Sequence, residues 1–143
     1  MTSISLVRRI AARPSIVFDL LATPEGIPLW WGPDDGPVLI AESDFRPGGK
    51  FRVRFRDALG DEHETSGEFL EIVRPVRVVM SWSWLGGVED PGESRVEFDL
   101  AEAGEGTTLT LTHSRLHEEA TGLTHQTGWI GALDKLARHF DVA

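Results

Sequence analysis

The chain has 143 residues and a hydrophobic content of 41%, which together suit one domain with a core that needs no metal or disulfide. It contains no cysteine, so disulfides, thiolate metal sites and thiol catalysis are excluded. Its net charge of −9, from 23 acidic and 14 basic side chains, disfavours a general role in binding nucleic acid, because phosphates repel such a surface.

No segment of the sequence indicates a membrane or an export signal. No apolar run approaches the roughly 20 residues that span a bilayer. The stretch MTSISLVRRIAARP has no basic region followed by a long apolar core, so we expect no signal peptide. We therefore expect a cytoplasmic protein, a single domain over residues 1–143, no cofactor, and a monomer or homodimer.

Three elements are predicted before residue 36. Residues 3–10 alternate in polarity and predict a strand. Residues 15–22, introduced by Pro14, carry apolar side chains at helical spacing and predict a helix. Thr23 is a suitable N-cap for a second short helix, whose sequence ends in LWW before a Gly-Pro turn.

After residue 36 the sequence predicts strands joined by short turns. GKFRVRFRD alternates strictly, with Phe51, Val53 and Phe55 on one face and basic side chains on the other. Further strands are predicted in PVLIAESDF, HETSGEFLEIV, RVVMSWSW, SRVEFDLAE and TLTLTHSR, and a polar loop over residues 86–92. Short turns imply antiparallel pairing of these strands.

The last segment, HEEATGLTHQTGWIGALDKLARHF, predicts one long helix. Trp129, Leu133, Leu136 and Phe140 step by four, three and four residues, which gives an apolar helical stripe. Two glycines beside Trp129 are expected to let this helix approach the sheet closely. The predicted fold is α+β: a curved antiparallel sheet of about six to seven strands wrapped around the C-terminal helix, with two short helices after the first strand.

The order of four motifs carries a resemblance to a known superfamily. These are TPE…WWGP, FRPGGKF, GEFLEIVRPVRVV and TH…GW…LDKLARHF. Together they resemble the START-like (SRPBCC) superfamily of helix-grip folds, and within it the single-domain bacterial relatives of the activator of the heat-shock-protein-90 ATPase. The resemblance covers nearly the whole chain. The resemblance implies a sheet that grips the C-terminal helix, with a cavity between them. The founding activity of the family is co-chaperone binding, and the founding proteins carry a separate N-terminal domain.

The stretch IPLWWGP places two indoles side by side. Consecutive helix residues lie about 100° apart, so we expect Trp30 and Trp31 to face different neighbours. One would enter the core while the other lines the mouth of an apolar pocket, where a large aromatic face suits a small molecule. The alternative is that both indoles are packing residues.

Strand alternation and the implied cavity together predict a ligand-binding set that is rich in aromatic side chains. The predicted set is Trp30, Trp31, Phe51, Val53, Phe55, His63, Phe69, Met80, Trp82, Phe98, Leu111, His113, Trp129 and Leu133. The alternative is that these residues fill a core and leave no space for a ligand.

The five histidines do not follow a metal-binding pattern, so we expect no metal. His113 continues the inward phase of its strand, and His63 is in phase with Phe69. Each is either a hydrogen-bonded residue at the rim or a polar group that orients a ligand or acts as a general base. Glu71 is the third acid–base candidate.

Charged residues of two neighbouring strands share the predicted outer face of the sheet. The basic set is Lys50, Arg52, Arg54 and Arg56, and the acidic set is Glu62, Glu64 and Glu68. Cross-strand ion pairs are the first interpretation. A phosphate or RNA site is the second, and it is disfavoured because no aromatic side chain on this face could stack on a base.

The sequence contains no nucleophile elbow, phosphate loop or dinucleotide fingerprint. We therefore expect the chain to bind a small apolar or amphipathic molecule between the sheet and the C-terminal helix. One alternative is a cyclase- or hydrolase-like enzyme that uses a cavity histidine, and another is a co-chaperone-like module for protein interaction.

Overall fold

A computed structural model describes residues 2–84, 94–116 and 119–140. The elements in chain order are β1 (Thr2–Ile10), α1 (Pro14–Leu21), α2 (Ile27–Trp30), β2 (Val38–Ser43), β3 (Lys50–Arg56), β4 (Glu62–Val73), β5 (Arg77–Trp84), β6 (Ser94–Ala103), β7 (Gly106–Leu116) and α3 (Glu119–His139). The seven strands of these ranges form one antiparallel sheet in the order β1-β7-β6-β5-β4-β3-β2. The predicted α+β fold is confirmed, and the predicted loop 86–92 lies outside the described residues.

The inner face of the sheet carries the core. In β3 the side chains of Phe51, Val53 and Phe55 are buried, whereas those of Arg52 and Arg56 are exposed. The period of two along a strand produces this split, and the predicted inward phase is confirmed. The inward residues of the neighbouring strands are also buried: Phe69, Met80, Trp82, Val96, Phe98, Leu109 and Leu111.

Strand β4 contains a bulge that changes which side chains face inward. Its register on β5 shifts between Phe69 and Glu71. An extra residue reverses the alternation beyond it, so Ile72 packs against the core while Glu71 is exposed and pairs with Arg77, with 3.3 Å between Oε2 and Nε. The prediction that Glu71 is an acid–base candidate inside a cavity is therefore wrong.

Helix α2 is shorter than predicted. The Thr23 hydroxyl accepts a hydrogen bond from the backbone N–H of Gly26 at 3.0 Å, which closes a turn ahead of the helix. The helix itself begins at Ile27 and ends at Trp30. Trp31 follows in an extended conformation, with φ −67° and ψ 145°.

Helix α3 presents its predicted stripe to the sheet. Trp129, Leu133 and Leu136 are buried, and Phe140 is half-buried against the core. This helix closes over the inner face of the sheet and so gives the apolar side chains of both layers a partner. No helix in the described ranges is long and apolar enough to cross a membrane.

Ion pairs cover the outer face of β2, β3 and β4. Arg52 contacts Glu64 at 3.0 Å, Arg54 contacts Glu62 at 2.8 Å and Arg56 contacts Glu62 at 3.5 Å. The predicted cross-strand pairs are confirmed. Because each of these three guanidinium groups already has a carboxylate partner, the alternative of a phosphate or RNA site gains no support. Exposed pairs of this kind contribute about 0–1 kcal/mol each.

Candidate functional site

A cavity of about 720 Å³ lies between α3, the turn after α2 and the inner face of β3, β4 and β5. Its wall is mainly apolar and aromatic. The lining residues are Trp31, Gly32, Pro33, Phe55, Asp57, Leu59, His63, Trp82, Trp84, Thr127, Gly128, Trp129 and Ala132. The cavity therefore draws its wall from the turn after α2, the β3–β4 hairpin, β5 and α3.

Aromatic rings form most of this wall. Trp31 and Trp82 are stacked, with ring centroids 5.3 Å apart and planes 17° from parallel. Trp129 lies 5.1 Å from Trp82, and Trp84 meets Trp82 edge-on at 5.6 Å. Phe55 extends the wall, 6.2 Å from Trp84. Rigid ring faces in a concave site suit flat or apolar molecules.

The adjacent tryptophans have different positions. Trp30 is fully buried, and its indole N–H donates to the carbonyl oxygen of Leu20 at 2.8 Å, whereas Trp31 lines the cavity. Both rings nevertheless contact Trp129, at 6.3 and 6.4 Å. The expected division, with one indole in the core and the other at the cavity, is the one observed. The two rings share Trp129 as a neighbour because α2 ends at Trp30 and the helical angle does not apply to Trp31.

The turn that carries Trp31 is tied to α3. Lys135 Nζ donates to the carbonyl oxygens of Trp31 at 2.8 Å and Asp34 at 2.6 Å. Burial lowers the pKa of Lys135, and these carbonyls take the place of water around its ammonium group. Gly131 of α3 packs directly on Pro33. The sequence predicts that Gly128 and Gly131 bring α3 close to the sheet. At Gly131, however, the close approach is to the turn that carries Trp31 and Pro33.

The close contact at Gly131 gives a testable prediction. A Cβ at this position would overlap the carbonyl oxygen of Pro33. We expect Gly131→Ala to destabilise the protein by about 1–3 kcal/mol through overpacking, although alanine favours a helix by about 1 kcal/mol over glycine.

Gly128→Ala is the matched control for this substitution. A Cβ at Gly128 would lie 3.9 Å from Pro33 Cβ, which is ordinary contact, so this variant should gain up to about 1 kcal/mol. Urea titration of both variants provides the measurement. Equal stabilities for the two variants would contradict a tight contact at Gly131.

His113 is fully buried beside the cavity wall and does not line the cavity. Trp129 Nε1 donates to its Nδ1 at 3.0 Å, and its Nε2 lies 2.7 Å from Ser94 Oγ. Because Nδ1 accepts, the neutral ring carries its proton on Nε2 and donates to Ser94, whose hydroxyl donates to the carbonyl oxygen of Trp82 at 3.2 Å. His113 thus points inward, as predicted, and holds α3 to the sheet.

A second histidine forms a polar pair at the cavity wall. His63 Nε2 lies 2.9 Å from Asp57 Oδ2. The other carboxylate oxygen, Asp57 Oδ1, accepts the backbone N–H groups of Leu59 and Asp61, each at 3.0 Å. The hydrogen bond from His63 is the main cause of the lowered pKa of Asp57, with the backbone bonds adding to it. Asp57 is therefore a well-anchored carboxylate.

Only part of the predicted set lines the cavity. Trp31, Phe55, His63, Trp82 and Trp129 do so. The others pack elsewhere and are Trp30, Phe51, Val53, Phe69, Met80, Phe98, Leu111, His113 and Leu133. Their inward direction was correctly predicted, but helices and neighbouring rings fill the space in front of them.

Other lining residues were not in the predicted set. They include Pro33, Asp57, Leu59, Thr127 and Ala132, which lie in turns or on α3. Leu59 is the one large apolar residue in the hairpin turn after β3, and this is the sequence signal among them; in the structure it is 89% exposed. The acid–base candidates reduce to His63, since His113 and Glu71 do not line the cavity.

Two further features concern a buried polar atom and possible metal ligands. The indole nitrogen of Trp82 is buried and has no hydrogen-bond partner among the described residues, and an unpaired buried N–H costs about 1–3 kcal/mol. Within the same part of the chain, no group of three or more histidine, aspartate or glutamate side chains could hold a metal ion.

Comparisons with known proteins agree on one family and one fold. The sequence model of the family described as Activator of Hsp90 ATPase homolog 1-like protein matches residues 11–141. No curated protein matches the chain.

Several solved structures share the fold. A protein from Chromobacterium violaceum has 24% identity and a TM-score of 0.88, over 99% of this chain and 98% of the other. The AHSA1 protein from Silicibacter pomeroyi has 26% identity and a TM-score of 0.83, over 96% of each chain. CalU16 from Micromonospora echinospora has 28% identity and a TM-score of 0.69, over 97% of this chain and 76% of the other.

Proposed function

Because the chain belongs to the family of Activator of Hsp90 ATPase homolog 1-like proteins, we propose that it binds a small apolar or amphipathic molecule in the cavity between its sheet and α3. The cavity itself is the observation that supports this function. Its volume of about 720 Å³ falls within the roughly 300–1,000 Å³ of typical small-molecule sites. The START-like resemblance read from the sequence motifs is confirmed by the family match.

The composition of the wall supports the same class of ligand. Four of the five tryptophans of the chain line the cavity, and aromatic faces stabilise apolar molecules through burial and stacking. Polar lining side chains are few, and they are Asp57, His63 and Thr127. An amphipathic molecule with a large apolar body fits this balance.

The two alternative functions have less support. A cyclase- or hydrolase-like enzyme would depend on His63, the one predicted acid–base residue that lines the cavity. A co-chaperone-like role would use an outer surface to bind another protein. A cavity walled by aromatic rings favours the binding of a small molecule instead. The cytoplasmic location and the monomer or homodimer state stay predictions.

Filling the cavity tests whether ligands bind inside it. Ala132 is buried on α3 and lines the cavity, so a larger side chain there would occupy the ligand's space. We expect naphthalene-sized aromatic compounds or medium-chain fatty acids to raise the melting temperature of the native protein, because they bind only the folded state. Ala132→Phe should weaken that binding by at least about tenfold.

Ile130→Phe is the matched control, because Ile130 is on the exposed side of the same helix. This variant should leave unchanged both the ligand-induced rise in melting temperature and the dissociation constant measured by calorimetry. Ligands that bind the native protein and Ala132→Phe equally well would place binding outside the cavity and contradict the proposed function.

A further inference from the structure

In the Asp57–His63 pair, the chemistry of the two groups fixes which atom donates the hydrogen bond and which accepts it. Asp57 has its pKa lowered and is charged at neutral pH, and a carboxylate only accepts hydrogen bonds. His63 Nε2, at 2.9 Å from Asp57 Oδ2, therefore carries a proton and donates it. In the neutral ring this leaves Nδ1 as a hydrogen-bond acceptor.

The imidazole is held in place by its neighbours. His63 lies opposite Phe55 in the register of β3 and β4, with ring centroids 5.2 Å apart. Trp84 meets the imidazole edge-on at 6.4 Å. Asp57 is itself anchored by the backbone N–H groups of the hairpin turn. The position of Nδ1 is thus determined before any ligand arrives.

The pair lies on the solvent side of the cavity. The side chain of His63 is 43% exposed, whereas that of Asp57 is 16% exposed. Leu59, in the same hairpin turn, also lines the cavity and is almost fully exposed. No described residue contacts Nδ1 of His63 by a hydrogen bond. A molecule whose body lies among the indoles would therefore meet an acceptor at its outer end.

From this geometry we infer that Asp57 and His63 recognise a hydroxyl group on a flat aromatic ligand, whose O–H donates to His63 Nδ1. The inference rests on the proposed function, since it names the ligand class of the same cavity. His63 is the binding residue, and Asp57 is a positioning residue that holds the proton on Nε2. Phenols fit this description, because they combine a ring that stacks on indoles with a strong donor.

Two probes of nearly equal shape test the inference. They are 2-naphthol, which has an O–H donor, and 2-methoxynaphthalene, which lacks it. At about pH 8 a phenolic hydroxyl keeps its proton. By titration calorimetry we expect the native protein to bind 2-naphthol about five- to tenfold more tightly than the ether.

Two variants assign this preference to the pair. His63→Phe keeps an aromatic ring in the wall and should bind both probes with a ratio near one. Asp57→Asn presents an amide donor to Nε2, which moves the ring proton to Nδ1, so it should also lose the preference. Nitrogen NMR of the imidazole should show the Nε2–H form in the native protein and the Nδ1–H form in Asp57→Asn.

The outcomes separate this inference from the proposed function. Equal binding of both probes by the native protein, with both weakened by Ala132→Phe, would overturn the role of the pair and leave cavity binding intact. A preference that survives in His63→Phe would overturn the role as well. Binding of neither probe would overturn the proposed function, and the inference with it.

Discussion

Replacing Trp129 with alanine is expected to lower the free energy of unfolding by about 3–5 kcal/mol, as for other buried aromatic side chains. The indole is 6% exposed and packs between α3 and the sheet. It contacts Trp82 at 5.1 Å, Phe98 at 5.9 Å and Trp30 at 6.3 Å. Its removal would leave a void next to an existing cavity and would also break the hydrogen bond to His113.

Ile130→Ala is the control for this substitution. Ile130 follows Trp129 in the same helix but is 36% exposed, so its truncation should cost less than about 1 kcal/mol. Urea titrations of both variants give the comparison. If Trp129→Ala cost no more than Ile130→Ala, the role of Trp129 in holding α3 to the sheet would be disproved.

His113→Leu is expected to destabilise the protein by about 2–3 kcal/mol. Leucine offers no acceptor to Trp129 Nε1 and no donor to Ser94 Oγ, both of which hydrogen-bond to the imidazole. A buried donor left without its acceptor costs about 1–3 kcal/mol. Because His113 does not line the cavity, the variant should bind apolar ligands as well as the native protein does.

A double-mutant cycle isolates this hydrogen bond. Trp129→Phe removes the donor, so His113→Leu should cost clearly less in that background than alone. Thermal melts of the four proteins, with and without 2-methoxynaphthalene, provide the data. Additive losses would show that the His113–Trp129 bond contributes nothing, and a selective loss of binding would return His113 to the site.

The sequence predicts the sheet well because strand alternation is a local property. Phe51, Val53 and Phe55 face inward as their spacing requires, since the period of two follows from backbone geometry alone. Glu71 breaks the same rule because of the bulge after Phe69. A bulge is defined by how a strand pairs with its neighbour, and no residue in this segment of the sequence indicates where the bulge lies.

The cavity could be predicted only in part. Trp31, Trp82 and Trp129 line it and were in the predicted set, because large aromatic residues at inward positions are visible in the sequence. Asp57 and Ala132 were missed, since they come from a hairpin turn and a helix that meet only in the folded chain. Which inward positions remain uncovered depends on how helices pack on the sheet, and this is a property of the whole fold.

The aromatic wall has a consequence for optical spectroscopy. All five tryptophans of the chain are connected by ring contacts. Trp30 contacts Trp31 and Trp129, and Trp82 contacts Trp31, Trp129 and Trp84. The chain has no tyrosine. Excitation absorbed by one indole can pass to the others over these distances, and the stacked pair Trp31–Trp82 should give exciton bands in near-ultraviolet circular dichroism. Tryptophan fluorescence therefore reports on the surroundings of this one aromatic cluster. The edge strands β1 and β2 contain no tryptophan and give no fluorescence signal of their own.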